Sequence, residues 1–156
     1  MQSNNHLEQW LYKRGISQEV LRLFDVDTDY DHPTIGKSIR IPFSKDHAKY
    51  RRDPLDERKP KYLYDAGGKV TLYGADKLLG SETKNIVITE GELDTLVLWS
   101  ANIPAVSSTG GALSFQEEWA IALAPCQVYV CFDNDSAGAE GMVKVLSYIP
   151  DAKVIF

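Results

Sequence analysis

Three acidic residues follow two apolar runs in a way that could place metal chemistry at one edge of a sheet. The run Ile86–Thr89 is followed by Glu90, and the run Gln127–Phe132 is followed by Asp133 and Asp135. Apolar, β-branched runs that end at turn residues are typical of buried parallel strands. Ligands bind at the carboxyl ends of such strands, so we expect these carboxylates to converge. Converging carboxylates repel one another unless a hard cation such as Mg²⁺ lies among them.

A fourth carboxylate could join this site. Asp94 lies four residues after Glu90, one turn into the next predicted helix, and can point at the same place. Asp133 and Asp135 are two residues apart, so on an extended backbone both side chains point the same way. Each cluster alone is a weak signal, because acidic residues are common at helix starts and turns. Together, in one predicted sheet, the two clusters are much more specific.

The segment Ser107–Gly111 lies at a third predicted strand end. Its hydroxyls and its glycines, Gly110 and Gly111, could donate hydrogen bonds to a phosphate group. The same residues suit an ordinary flexible turn, and the sequence leaves both interpretations open.

Strands and helices alternate regularly from residue 85 onward. Such alternation with short links predicts an α/β fold, a parallel sheet with helices on both faces. The predicted strands are Ile86–Thr89, Ala105–Val106, Gln127–Phe132 and Lys153–Phe156, and the predicted helices are Leu93–Ala101, Ser114–Leu123 (with Ser114 as its N-cap) and Ala137–Tyr148. The last strand runs to the end of the sequence, which favours a piece cut from a longer protein. Because the regular alternation begins at residue 85, we expect two domains, 1–84 and 85–156.

The first of these domains is predicted to be a small α+β unit. Its predicted elements are a helix at Leu7–Arg14, a helix after the N-cap candidate Ser17, a strand at Ser38–Phe43, a loop at Lys45–Lys61, a hairpin of Tyr62–Tyr64 with Lys69–Tyr73, and a short helix within Leu72–Leu79. The segment Asp25–His32 is acidic and predicts a turn.

Charge is distributed unevenly along the chain. Residues 37–61 contain nine Lys or Arg against four acidic residues, whereas residues from Asn85 onward contain two lysines against nine acids. A basic stretch beside an acidic half is what a protein needs if it handles a polyanion through bound cations. A solvated charged loop explains the composition at least as well.

Several other classes are excluded or disfavoured. No apolar run approaches the ~20 residues of a membrane span, and the N-terminus has no secretory pattern, so we expect a cytoplasmic protein. Cys126 and Cys131 fit a predicted buried strand as small hydrophobes, and a zinc site would need more ligands at closer spacing.

These motifs resemble a known module. Ile86–Gly91 with Asp94, then Gly110-Gly111, then Phe132–Gly138, resemble the Toprim domain of bacterial-type primases, phage primase-helicases, topoisomerases and some nucleases. The string ITEGELDTL is most similar to the primase and primase-helicase versions. Upstream, WLYKRGISQEVLRLF, IRIPF, KPKYLY and TLYGADKL resemble, in order, parts of the small basic subdomain that precedes Toprim in primases. This subdomain is shorter than in bacterial primases and closer to the phage type.

The resemblance implies a primase-type core, a nucleotidyltransferase that joins ribonucleotides on single-stranded DNA. By resemblance, Glu90, Asp133 and Asp135 would be catalytic, and with Asp94 they would bind Mg²⁺, or Mn²⁺ in its place. Implied partners are single-stranded DNA, ribonucleoside triphosphates and a replicative helicase, fused or separate. The residues implied to contact template or nucleotide are Arg40, Arg51, Arg52, Lys61, Tyr62, Gly110 and Gly111.

Two other functions remain open. A Toprim nuclease would use the same metals to admit water in place of a nucleotide. A non-catalytic nucleic-acid or helicase-docking module would keep the fold and bind single strands without the carboxylates. A topoisomerase is the least favoured, because no catalytic-tyrosine region accompanies the Toprim-like part.

Overall fold

The computed structural model describes residues 5–155, and these fold into two compact units. The first unit ends at Lys69 and the second begins at Val70. The boundary expected from the sequence, after Lys84, lies later in the chain, so the intervening segment belongs with the second unit. Phe156, the last residue of the predicted strand Lys153–Phe156, lies outside the described residues.

Two short helices open the first unit. Helix α1 spans His6–Lys13, and helix α2 spans Gln18–Leu23. The hydroxyl of Ser17 accepts a hydrogen bond from the Val20 amide at 3.3 Å and caps α2, as the sequence predicts. The buried apolar residues of the two helices are Leu7, Leu11, Val20 and Leu21.

An antiparallel sheet completes the first unit. Its strands are β1 (Asp27–His32), β2 (Gly36–Pro42), β3 (Ala48–Arg52) and β4 (Tyr62–Tyr64), which pair in chain order within the described residues. Two predictions were wrong here. Strand β1 lies in the segment predicted as a turn, and β3 lies inside the predicted loop Lys45–Lys61. Neither strand carries the apolar alternation by which strands are found.

The second unit contains a mostly parallel sheet. Its strands are β5 (Leu72–Tyr73), β6 (Asn85–Thr89), β7 (Ala105–Ser108), β8 (Gln127–Cys131) and β9 (Lys153–Val154), and among the described residues their order is β5-β7-β6-β8-β9. Strands β6 to β9 are parallel, whereas β5 runs antiparallel to β7. The predicted hairpin of residues 62–73 is wrong, because β4 pairs with β3 and β5 pairs with β7. The predicted α/β class is confirmed.

Helices pack on both faces of this sheet. Ile86 and Ile88 lie in a core with Phe115, which precedes α4 (Glu117–Leu123). The same core contains Trp119 of α4 and Val145 of α5 (Ser136–Tyr148). Thr89, on the opposite face of β6, contacts α3 (Glu92–Ser100). Successive side chains of a strand point to opposite faces, so a buried run with helices on each side fits a central strand.

The start of α4 differs from the prediction. Ser114 does not cap this helix. It lies in a 3-10 helix, Ala112–Ser114, where its hydroxyl donates to the Gly111 carbonyl at 2.7 Å, and α4 begins at Glu117.

Among the described residues, no helix combines the length and the apolar composition that a membrane span requires.

Close packing of α5 on the 3-10 helix yields a first prediction. A Cβ atom on Gly141 would lie 2.4 Å from the Cβ of Ala112 and 3.0 Å from its carbonyl oxygen. We expect Gly141→Ala to lower the free energy of unfolding by about 1–3 kcal/mol through overpacking. Ala112→Gly in the same chain removes the nearest atom and should restore part of the loss. Urea denaturation of the three variants measures this. A more stable Gly141→Ala, as expected for an uncrowded helix, would contradict it.

Candidate active site

The two acidic motifs meet at the carboxyl ends of β6 and β8. Glu90 directly follows β6, and Asp133 lies just beyond β8. The strands are parallel neighbours, with Thr89 opposite Cys131. Their ends therefore emerge side by side, and Glu90 Oε2 accepts a hydrogen bond from the Asp133 amide at 3.1 Å. This bond joins residues 43 positions apart in the sequence.

Asp135 is the N-cap of α5. Its Oδ1 accepts a hydrogen bond from the Gly138 amide at 2.8 Å. A Cβ at Gly138 would lie 2.1 Å from the Asp133 carbonyl oxygen and 3.1 Å from Glu90 Oε2. Only glycine allows the first turn of α5 to approach the end of β8 this closely, so Gly138 belongs to the site.

Asp94 lies in the first turn of α3 and is exposed. Its Oδ2 would be 3.4 Å from a Cβ on Gly91, so its carboxylate turns back toward the turn after β6. All four predicted carboxylates are thus grouped around two adjacent turns.

Glu90 has an altered ionisation equilibrium. Burial raises the pKa of its carboxyl group, and the negative charges of Asp133, Asp135 and Asp94 raise it further, while the hydrogen bond from the Asp133 amide opposes both. The direction of the shift shows that negative charge is disfavoured at this point. A bound cation would relieve that repulsion.

The candidate ligand atoms are of the type that a hard divalent cation prefers, but the side chains that carry them are too far apart to bind one as they stand. Every candidate donor is a carboxylate oxygen, the ligand type that Mg²⁺ prefers. Across residues 5–155, however, no three His, Cys, Asp or Glu side chains stand close enough together to hold an ion as they are placed. Asp135 is bound to the Gly138 amide, whereas Asp133 is exposed. Binding would therefore require side-chain rotation at the exposed carboxylates.

The loop after β7 is bonded internally. The Gly111 amide donates to the Ser108 carbonyl at 3.1 Å, and the Gly110 amide donates to the Ser108 hydroxyl at 3.4 Å. Thr109 accepts a hydrogen bond at its hydroxyl from the Thr71 amide at 2.9 Å. The amides of Gly110 and Gly111, which the sequence offered to a phosphate, therefore already donate within the loop. A phosphate at Gly110 and Gly111 would have to compete with them.

The predicted basic residues of the first unit have different surroundings. Arg52 is buried, pairs with Asp56 at 2.9 Å, and donates through Nε to the Pro60 carbonyl. The neighbouring Arg58 and then Arg52 hold the pKa of the Asp56 carboxyl well below its usual range. Arg40 is half-buried on β2, opposite Tyr50, and Lys61 is exposed just before β4. Arg52 is thus bound within the structure, whereas Lys61 is accessible.

A ladder of alternating cations and aromatic rings lies beside these residues. Lys49 Nζ is 4.8 Å from the ring centre of Tyr62 and 5.1 Å from that of Tyr64. The Arg51 guanidinium carbon is 5.4 Å from the Tyr62 ring and 5.6 Å from the Trp10 ring. On β3 and β4, Lys49 faces Tyr64 and Arg51 faces Tyr62 in register. These are cation–π distances.

Sequence reasoning missed most of this cation–aromatic ladder, which we define as Trp10, Lys49, Arg51, Tyr62 and Tyr64. The signal was present in the alternation itself. Residues two apart in β3 are both cationic, and residues two apart in β4 are both tyrosine. Side chains two apart on a strand share a face, so a strand prediction for 48–52 would have placed Lys49 and Arg51 on one face.

Comparison with known proteins bears on both units. A model of the family described as Toprim-like matches residues 87–155. The Gene 57 protein of Mycobacterium phage D29 is 32% identical over 107 residues, covering 69% of this chain and 68% of that protein. The DNA primase of Thermotoga maritima is 34% identical over 105 residues, covering 62% of this chain. The match spans only 19% of that primase.

The fold is also similar to that of a solved primase. The structure of the DnaG primase catalytic domain bound to single-stranded DNA has a TM-score of 0.70 and 20% identity, covering 94% of this chain and 62% of that chain. At this identity the likeness establishes the fold. Three findings identify the same family: the acidic motifs at the ends of β6 and β8, the Toprim-like match over that region, and the coverage of the phage relative. This chain therefore belongs to the Toprim family of the DNA primase type.

Proposed function

We propose that this chain is the catalytic core of a primase, which synthesises short RNA primers on single-stranded DNA with divalent metal. The observation that carries the proposal is the hydrogen bond between Glu90 Oε2 and the Asp133 amide, which joins the two acidic motifs at adjacent strand ends. The relationship to the Thermotoga maritima primase supports the reaction type. The solved primase domain with bound single-stranded DNA supports the template class.

Glu90, Asp94, Asp133 and Asp135 are the residues that would hold Mg²⁺ or Mn²⁺. Bound divalent cations supply positive charge to the phosphoryl oxygens during transfer. The chain contributes the positioning. The Asp133 amide orients the Glu90 carboxylate, and the cap bond to Gly138 orients Asp135. Both contacts use main-chain groups, so they fix the carboxylates relative to the sheet.

The cation–aromatic ladder is the surface we propose for the template. Lys49 is buried under its tyrosines, whereas Arg51, Tyr62 and Trp10 are half-buried and Tyr64 is exposed. Rings can stack on bases and cations can contact phosphates without reading base edges. Lys61 and Arg40 would add charge beside it. Arg52 would act structurally, through Asp56. Weak template sequence preference follows from this surface.

Incoming ribonucleoside triphosphates are the proposed second substrate, with Gly110 and Gly111 at the third strand end. A replicative helicase, fused or separate, is the partner we propose from family membership alone.

Primer synthesis with labelled ribonucleotides on single-stranded DNA tests the proposal. We expect wild type to make short products in Mg²⁺ or Mn²⁺. Asp133→Ala should reduce their yield roughly 100-fold, because it removes a proposed ligand of the divalent cation that would offset the charge on the phosphoryl oxygens. Asn134→Ala is the matched control, since Asn134 lies between the two aspartates, is exposed, and carries no charge. It should retain activity.

Other outcomes distinguish the alternatives. Metal-dependent loss of the template, without primers, would replace the proposal with a nuclease. Template binding that is unchanged in Asp133→Ala, with no reaction by wild type in any metal, would favour a binding module.

A further inference from the structure

A buried cluster of hydroxyl groups lies directly beneath the turn that carries Glu90. Its members are Thr89, Thr95 and Ser107, which are 2%, 0% and 0% exposed. Thr89 ends β6, Ser107 is its register partner on β7, and Thr95 comes from α3. The cluster therefore joins three elements at the carboxyl end of the sheet.

The hydrogen bonds of the cluster converge on one main-chain group. The Thr89 and Thr95 hydroxyls are 2.8 Å apart, and each lies 3.2 Å from the Gly91 carbonyl oxygen, to which each can donate. The Thr95 hydroxyl also lies 3.0 Å from the Ser107 hydroxyl. The Thr95 amide donates to the same Gly91 carbonyl at 3.1 Å. Gly91 is thus held from three sides, directly after Glu90.

Valine would fill the same space as these threonines in an apolar core. A buried hydroxyl costs free energy unless its hydrogen bonds are made, so hydroxyls at three facing positions require a reason beyond packing. Holding the Gly91 carbonyl is that reason. Since Gly91 has no side-chain cap bond at the start of α3, the hydroxyls provide the local restraint that a capping side chain gives elsewhere.

We propose that Thr95 is a positioning residue for Glu90. This inference rests on the proposed function. The Thr95 hydroxyl fixes the Gly91 carbonyl, and the fixed turn holds the Glu90 carboxylate against the Asp133 amide. Through Ser107 it also ties this turn to β7 and to the loop that follows. Thr95 does not touch substrate. Its hydroxyl sets where Glu90 stands when substrate arrives.

The test compares Thr95→Val, which keeps the shape, with Thr95→Ser, which keeps the hydroxyl. We expect Thr95→Val to lower kcat for primer synthesis roughly 10–100-fold, as removal of supporting partners of a site does, with KM for nucleotide unchanged. Thr95→Ser should restore most of the rate. Ser100→Ala is the control, because its hydroxyl donates to the Leu96 carbonyl on the same helix, away from the turn.

Hydrogen exchange supplies a readout that does not depend on activity. The Asp133 amide is protected by Glu90, so exchange at Asp133 should accelerate in Thr95→Val and stay at the wild-type rate in Thr95→Ser and Ser100→Ala. If Thr95→Val does not fold, Ser107→Ala removes the far partner and should accelerate the same amide. Faster exchange with no primer synthesis by wild type would uphold the positioning role and reject the proposed reaction. Unchanged exchange and unchanged kcat in Thr95→Val would overturn the inference.

Discussion

Replacing Gly138 with alanine is expected to destabilise the second unit by about 3 kcal/mol, at the upper end of overpacking costs. The added Cβ would lie 2.1 Å from the Asp133 carbonyl oxygen. That atom belongs to the main chain, so no side-chain rotation relieves the clash, and α5 must move away from β8. The same movement would draw Asp135, the N-cap of α5, away from Glu90, so activity should be lost even in the fraction that remains folded.

Urea denaturation and primer synthesis on one preparation measure both effects. Ala139→Ser is the control, because Ala139 is adjacent on α5 and exposed, and a surface change of this kind should stay within about 0.5 kcal/mol of wild type. Unchanged stability and rate in Gly138→Ala would contradict the close approach of α5 to the Asp133 carbonyl oxygen.

Glu90→Gln is expected to lower activity strongly while making the metal-free protein more stable. The amide oxygen can still accept the hydrogen bond from Asp133, so the geometry is kept and only the charge is lost. Without that charge, primer synthesis should fall roughly 10³-fold. Stability should move the other way, because burial and three neighbouring carboxylates make the negative charge of Glu90 unfavourable in the folded protein.

The sign of the pH dependence follows from the raised pKa. Because the pKa of Glu90 is raised in the folded protein, folding favours binding of this proton, and the favourable contribution is present at low pH and is lost as pH rises through the folded pKa. The Tm advantage of Glu90→Gln, measured in chelator, should therefore be largest at neutral pH and vanish in acid. Adding Mg²⁺ should raise the Tm of wild type more than that of the variant. An equal rise in both would remove Glu90 from the metal ligands.

The proximity of Glu90 and Asp133 was predictable because it depends on few things. The strands that precede them are apolar and β-branched, and the alternation with helices makes them parallel. Parallel strands end at the same edge, so the residues that follow them are neighbours whatever the intervening sequence. No knowledge of side-chain packing was needed for this step.

The remaining features depend on partners distant in the sequence. Strand β3 is buried with a lysine and an arginine in it, and this is possible because Tyr62 and Tyr64 of β4 cover the lysine. The loop after β7 has a composition that suits phosphate. However, the Thr109 hydroxyl is bonded to the amide of Thr71, which directly precedes β5, and the Ser108 hydroxyl is bonded to that of Ser114. Composition does not distinguish such a loop from a binding loop, because the same donors serve either purpose.

The two sheets differ in how far along the chain their neighbouring strands lie. In the first unit each strand pairs with the next in sequence, whereas in the second, central β6 lies between β7 and β8 and the strand order is interleaved. Contacts that are distant in sequence form more slowly, because a longer segment must close before they are made. The first unit also leaves the ribosome first. We therefore expect the first unit to be folded while the ends of β6 and β8 are still separate. The acidic site then forms late in the folding of the chain.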